Sequence, residues 1–275
     1  MPLANTQEIR EVQVTETPLI VDIREGTAWL TLNRPQAGNA IDLPMARALV
    51  EASIRCQTDA DIRCVVLTGA GKLFCAGGDV GLFAAAGDQV SSLLSELAGT
   101  LHMTLARLAR MAKPMLVLVN GPAVGAGFSL AISGDVVLAS RSAHFAAAYG
   151  TLGLTPDGGM SWSLPRLVGL RKAQEIILTN RRINAEEAEA MGLVTRLVGD
   201  GRLMEEGEAT AAQLAASPVA ALGAARVLLQ DSFAASFETQ LEREARAISD
   251  AGATAEAREG LAAYFAKRAP DFRGA

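Results

Sequence analysis

Met115-Leu116-Val117-Leu118-Val119 runs directly into Asn120-Gly121-Pro122-Ala123-Val124-Gly125-Ala126-Gly127, and the two segments together decide the fold. The first is a short, β-branched apolar run, the pattern of a strand covered on both faces. The second is a chain of small residues that brings a helix in close behind it. No charged residue falls between Met115 and Ser133, which is long enough to suggest a membrane span. The glycines, Asn120 and Pro122 interrupt it, so a buried strand, a tight loop and a Gly/Ala-rich helix are predicted instead.

The same grammar recurs along the chain. Cys64 to Thr68 is a second buried run and leads to Leu73-Phe74-Cys75-Ala76-Gly77-Gly78-Asp79; Val136 to Ala139 is a third. Leu19 to Glu25 and Ala28 to Asn33 are β-rich runs around a hairpin signal at Gly26-Thr27. Asp42 is placed to cap a helix starting near Leu43-Pro44, with Met45, Ala48, Leu49 and Ala52 on its inner face. Strands alternating with helices at this spacing predict an α/β core of repeated strand-strand-helix turns. From about Arg171 the pattern becomes mostly helical, over Ala185 to Met191, Arg202 to Ala216, Val219 to Gln230, Phe237 to Asp250 and Ala255 to Lys267. The expected division is an exposed arm over residues 1–17, a core over 18–200 and a helical region over 201–275.

Bulk properties narrow the function. Of 275 residues, 50% are hydrophobic and 20% charged, with a net charge of −5; basic residues are scattered, so no nucleic-acid surface is expected. Cys56, Cys64 and Cys75 form no C-x-x-C pair and sit near no His cluster. Disulfides and metal sites are therefore not expected, and a reducing cytoplasm suits the chain. The N-terminal residues carry Glu8, Arg10, Glu11 and Glu16 without an apolar stretch, unlike a secretory or transit peptide.

Neither Gly-rich loop fits a nucleotide-phosphate motif, since Gly127 is followed by Phe128-Ser129 and Gly71-Lys72 by Leu73. Small residues let a ligand approach the backbone, and free N–H groups where a helix begins favour developing negative charge. Two such loops facing one another could form an oxyanion hole; the plainer alternative is that the glycines serve only turns and packing.

The ordered set Asn33-Arg34-Pro35, Asn39-Ala40, Val66-Leu67-Thr68-Gly69, Phe74 to Asp79, Lys113-Pro114, Asn120-Gly121, Gly125-Ala126-Gly127, Asp135, Gly153-Leu154, Pro156-Asp157-Gly158-Gly159, Leu164-Pro165-Arg166 and Leu178-Thr179 resembles the crotonase (enoyl-CoA hydratase/isomerase) family. The resemblance extends from about residue 19 to Lys267-Arg268. It implies a crotonase-like ββα superhelix with helical C-terminal packing, acyl-CoA substrates and assembly as trimers or dimers of trimers. Coenzyme A is then part of the substrate, and no metal or redox cofactor is implied. By motif position the oxyanion donors would be the N–H groups of Ala76 and Ala126, with Ala76, Gly77, Gly78, Asp79 and Gly125 binding coenzyme A, residues 76 to 79 lining the pocket for its adenine end.

Family hydratases carry two glutamates at positions that here fall on Ser129 and Tyr149, and neither is a carboxylate that activates water. Asp157 matches the catalytic Asp of isomerases of the phenylacetate-degradation type. The resemblance therefore implies that Asp157 removes a proton α to the thioester and returns it at the γ carbon, shifting a 3-enoyl double bond to the 2 position. Asp157 could instead serve as a turn residue capping a helix near Met160. Ser129, Tyr149 and His102 are candidates for the acyl pocket, His102 by its spacing from Leu101, Leu105 and Leu108. Two further readings are an aryl-CoA dehalogenase or hydrolase with Asp157 as nucleophile, and an acyl-CoA-binding oligomer without activity.

Overall fold

In the computed structural model, which describes residues 17–274, the predicted strands and helices form around one six-stranded sheet. The expected N-terminal arm lies outside the described residues except for Thr17. Strand β1 (Leu19–Arg24) pairs antiparallel with β2 (Thr27–Leu32). The turn between them is Glu25-Gly26, one residue earlier than the sequence suggested. Both turn residues have positive φ, 50° and 76°, as a type I′ hairpin requires; Thr27 is β-branched and starts the strand.

Helix α1 (Leu43–Thr58) begins where predicted, with Asp42 Oδ1 accepting from Met45 N at 2.8 Å. Its buried face is Met45, Ala46, Leu49, Ala52, Ser53 and Cys56, while Ala48 is only half-buried. After β3 (Cys64–Gly69) come the six-residue α2 (Val80–Ala85) and the long α3 (Val90–Arg110). Strand β4 (Met115–Val119), the two-residue β5 (Ala123–Val124) and α4 (Ala126–Ala131) resolve the uncharged stretch into strand, loop and helix. Strands β6 (Val136–Ser140) and β7 (His144–Ala146) precede α5 (Met160–Val168) and α6 (Leu170–Thr179).

The region expected to be mostly helical also contains strands. β8 (Ile183–Asn184) joins β5 and β7 in a three-stranded sheet, and β9 (Arg196–Val198) closes the edge of the main sheet beside β6. The main order is β1-β2-β3-β4-β6-β9, parallel from β2 onward. Helix α7 (Ala185–Ala190) sits between the two added strands; α8 (Leu203–Ala216), α9 (Val219–Ser232), α10 (Phe237–Gly252) and α11 (Ala255–Ala266) complete the chain. Among the described residues no single helix is long and apolar enough to cross a membrane.

Alternation along the central strands sends side chains into two cores. Val65, Leu67, Val117 and Val119 join the larger one under α1 and α3, whereas Cys64, Val66, Leu116 and Leu118 face Leu203, Ala211 and Ala215 of α8. Helix α9 is fixed by charge as well. Arg226, 7% exposed, binds Asp135 Oδ1 through Nε at 2.7 Å and donates to the carbonyls of Leu108 and Met111. Asp135 in turn accepts from Met115 N at 2.7 Å, so the strand that carries the second Gly-rich loop is tied to α9.

Removing one partner of such a pair leaves the other charge and several acceptors uncompensated. Arg226→Met should lower unfolding free energy by about 2–3 kcal/mol, at the weaker end for a buried pair because Asp135 keeps some water. Urea denaturation followed by circular dichroism checks this; a loss under 0.5 kcal/mol, roughly the level of an exposed pair, would show that the cluster is incidental.

Candidate active site

The loops after β3 and β4 lie against each other backbone to backbone. Phe74 N and Cys75 N donate to Pro122 O, at 3.1 and 3.2 Å, and Val124 N returns a bond to Cys75 O at 2.9 Å. Glycine makes this approach possible: a Cβ on Gly127 would stand 2.3 Å from Cys75 O. Asn39, fully buried, holds the first loop through its Nδ2, which donates to the carbonyls of Ala70, Leu73 and Phe74 at 2.9, 2.8 and 3.2 Å. Phe128 of α4 packs on Phe145 of β7 with ring centroids 5.3 Å apart, seating the second loop.

This geometry decides which N–H groups are free. Ala76 N donates to Gly38 O at 2.9 Å, so the donor predicted there is already engaged. The next residues bridge to Ile41, with Ile41 N bonded to Gly77 O and Asp79 N to Ile41 O. In such a bridge the intervening residue points its N–H to the opposite side. Gly78 N–H is therefore turned away from Ile41, and among the described residues it meets no acceptor. Ala126 N–H, in the first turn of α4, has no partner either, as helix geometry dictates. Gly77 brings the two together: it has φ 93°, and a Cβ on it would lie 3.5 Å from Ala126 N.

Both residues line an apolar cavity of about 400 Å³. Ala76, Gly77, Gly78 and Gly125 border it, but Asp79 does not. The Asp79 carboxylate caps α2 and pairs with Arg34 at 3.2 Å, and Arg34 also pairs with Asp42. That side chain is a scaffold element rather than part of the cavity wall.

Asp157 is the one carboxylate among the lining residues. Its side chain does not cap α5: the residue before that helix is Gly159, and only the Asp157 carbonyl is used, accepting from Met160 N at 3.1 Å. The carboxylate instead accepts from Tyr149 Oη at 2.6 Å. Burial first, then the Asp157 charge and its hydrogen bond, push the Tyr149 phenol well above its usual pKa, so it stays a proton donor in this pair. Ser129, buried beneath, donates from Oγ to Asp157 O at 3.0 Å. Gly158, at φ 61°, turns the loop and leaves no room for a Cβ, which would be 2.8 Å from Ser129 Cβ.

Two of the three acyl-pocket candidates sit elsewhere than expected. Tyr149 lines the cavity; Ser129 lies behind its wall, and His102 is exposed on α3. His102 Nε2 accepts from Gly158 N at 3.0 Å, which requires that nitrogen to be unprotonated. The helical spacing that suggested the pocket places His102 beside the Asp157 loop instead. The sequence assigns Gly78 only to the coenzyme A site and not to the donor role, whose signal was the Gly-Gly pair before Asp79. Of Val80, Leu82 and Phe83, which the sequence suggests as an acyl-pocket loop, Val80 and Phe83 line the cavity and Leu82 does not.

A cavity enclosed by strand-loop-helix turns of this order defines the crotonase class of enzymes. Residues 22–275 match the family model described as enoyl-CoA hydratase/isomerase. The chain is 36% identical to the 1,2-epoxyphenylacetyl-CoA isomerase of Escherichia coli, over 93% of this chain and 98% of that one. It is 34% identical to the 2,3-dehydroadipyl-CoA hydratase of the same organism, over 93% and 98%. The crystal structure of an enoyl-CoA hydratase from Polaromonas sp. JS666 superposes with a TM-score of 0.88 at 32% identity, covering 92% of this chain and 98% of that one. The protein belongs to the enoyl-CoA hydratase/isomerase family.

Two expectations follow from the loop contact. All three thiols are buried, and burial raises Cys56 to about 11 and Cys64 and Cys75 to about 12. At pH 8 the native protein should resist iodoacetamide and alkylate fully only in guanidinium, as mass spectrometry reads; rapid native labelling would mean the loops open. Gly127→Ala should cost at least about 2 kcal/mol by urea denaturation, as overpacking does, because backbone rather than a mobile side chain must move.

Proposed function

We propose that this protein shifts a double bond in an acyl-CoA thioester, with Asp157 moving the proton and the N–H groups of Gly78 and Ala126 holding the thioester oxygen. The observation that carries the reading is the placement of Asp157, a lone carboxylate in an apolar cavity whose lining also contains both unpaired donors. Its Oδ1 takes the Tyr149 hydrogen bond, which leaves Oδ2 for substrate.

With a 3-enoyl thioester, Asp157 takes a proton from the α carbon, and the C–H electron pair spreads into a dienolate whose oxygen carries the charge. Two preorganised donors stabilise that oxygen by roughly 3–4 kcal/mol each, judged from other oxyanion holes. The protonated Asp157 then delivers the same proton to the γ carbon. The carbonyl re-forms, the double bond lies between the α and β carbons, and no atom is gained or lost. Tyr149 positions the carboxylate, and the thioester end of coenzyme A runs past Ala76, Gly77, Gly78 and Gly125.

Hydration is less well supported. The hydroxyls of Ser129 and Tyr149, at the positions of the hydratase glutamates, are both spent on Asp157. Use of Asp157 as a nucleophile would need a base for the hydrolytic water, and the accepting nitrogen of His102 is held by Gly158 N–H. One relative is named an isomerase, of an epoxide-bearing acyl-CoA, and others are named hydratases, so the names support chemistry on an acyl-CoA thioester and the choice of reaction rests on the site. Self-association belongs to it too, because Phe237, Ile248, Tyr264 and Phe265 on α10 and α11 are 73–79% exposed and a neighbouring subunit would cover them.

Ultraviolet absorbance tests the reading. The wild type should raise thioester-conjugation absorbance with a 3-enoyl-CoA and leave a 2-enoyl-CoA unchanged; a fall with the latter would mean water is added. Asp157→Asn should lower kcat about a thousandfold, the middle of the range for a lost acid/base, and Tyr149→Phe by about tenfold, a loss of roughly 1.4 kcal/mol in transition-state stabilisation. An Asp157→Asn variant with wild-type turnover would remove Asp157 from the chemistry.

A further inference from the structure

Beside the active-site cavity lies a second one, of about 540 Å³, bounded by α2, the start of α1 and α3. Phe83 and Leu97 line both. Leu97 is buried in the core, whereas Phe83 is half-buried on α2, a helix with no buried residue of its own. The Phe83 ring rests on Gly78: a Cβ there would lie 2.6 Å from Phe83 Cζ and 3.0 Å from Cε2. The ring thus lies against the residue whose N–H is free, and it forms part of the wall of both cavities.

The second cavity suits a hydrocarbon. Leu43, Leu82, Leu93 and Ala85 are among its lining residues, and its one charged residue, Asp42, already accepts from Met45 N and pairs with Arg34. An extended apolar chain entering there would strand no polar group.

We propose that Phe83 is the specificity-determining residue for acyl size, a partition that confines the acyl group to the first cavity and closes off the second. The proposal rests on the reading of the first cavity as the acyl-CoA site. Removing the ring joins the two spaces and lets a long acyl chain continue past Gly78. Each methylene newly buried is worth about fourfold in affinity, so the effect should grow with chain length while short chains, which end before Phe83, gain nothing.

Titration calorimetry with the non-reacting thioesters hexanoyl-CoA and dodecanoyl-CoA tests this without relying on turnover. Phe83→Ala should raise the dodecanoyl-to-hexanoyl affinity ratio at least tenfold over wild type, and Phe83→Leu should give an intermediate rise. Thermal melts by circular dichroism check the fold, and Phe83→Leu, which keeps most of the packing, carries the test if Phe83→Ala is too unstable. A ratio within twofold of wild type in the folded variants overturns the proposal. Failure of the wild type to bind either thioester overturns it together with the acyl-CoA site. A shifted ratio in a protein that isomerises nothing leaves Phe83 standing and removes only the chemistry assigned to Asp157.

Discussion

Everything at the centre of this molecule depends on two stretches of backbone meeting with no side chain between them. A Cβ on Gly121 would lie 2.0 Å from Lys72 O, one on Gly127 2.3 Å from Cys75 O, and one on Gly77 2.8 Å from Val124 O. These loops leave adjacent parallel strands, with Leu67 beside Val117, so the sheet delivers them side by side and the glycines let them close. Closure uses up some N–H groups and frees others. The pattern of donors facing the cavity is a by-product of the packing, and for that reason it is rigid before any ligand arrives.

Charge is distributed to the same end. Arg34 gathers Asp42 and Asp79 outside the cavity, at 3.2 Å each, and Asn39 satisfies three carbonyls of the first loop. What remains inside is apolar apart from Asp157, Tyr149 and a few backbone and hydroxyl groups. In surroundings of low polarity a hydrogen bond to a developing oxyanion counts for more than it does in water. On the proposed reading, the scaffold's ion pairs serve the chemistry by keeping their charges out of it.

Much of this was legible in the sequence because it is local. Buried runs such as Cys64 to Thr68 and Met115 to Val119 declare themselves by β-branched, apolar composition, and Asp42 marks the start of α1. Strands β8 and β9, of two and three residues, are too short to carry a period, and each exists only because a distant strand offers it an edge. The proposed oxyanion donor shows the same limit. The loop could be read from Phe74 to Asp79, but whether Ala76 or Gly78 has the free N–H is set by Gly38 and Ile41, far away in sequence. His102 was placed by helical spacing and Asp79 by motif position; each fixes neighbours along the chain, not which cavity a side chain enters.

The absence of the two hydratase glutamates is more than a deletion. The family resemblance implies two carboxylates around one water in a hydratase, and among the residues lining this cavity there is a single one, Asp157. The Ser129 hydroxyl supports residue 157 from below and the Tyr149 phenol steadies its carboxylate from the side, at 3.0 and 2.6 Å. Gly158 presses so close to Ser129 that a Cβ would fall 2.8 Å from its side chain, so a longer acid at position 129 would have to displace the loop that carries Asp157. It would also set a second negative charge beside the first and raise the proton affinity of both. On the proposed reading, restoring one glutamate would therefore disturb Asp157 before it created a new pair. Ser129 and Tyr149 both bond to Asp157, which is why the identities at 129, 149 and 157 have to be read together.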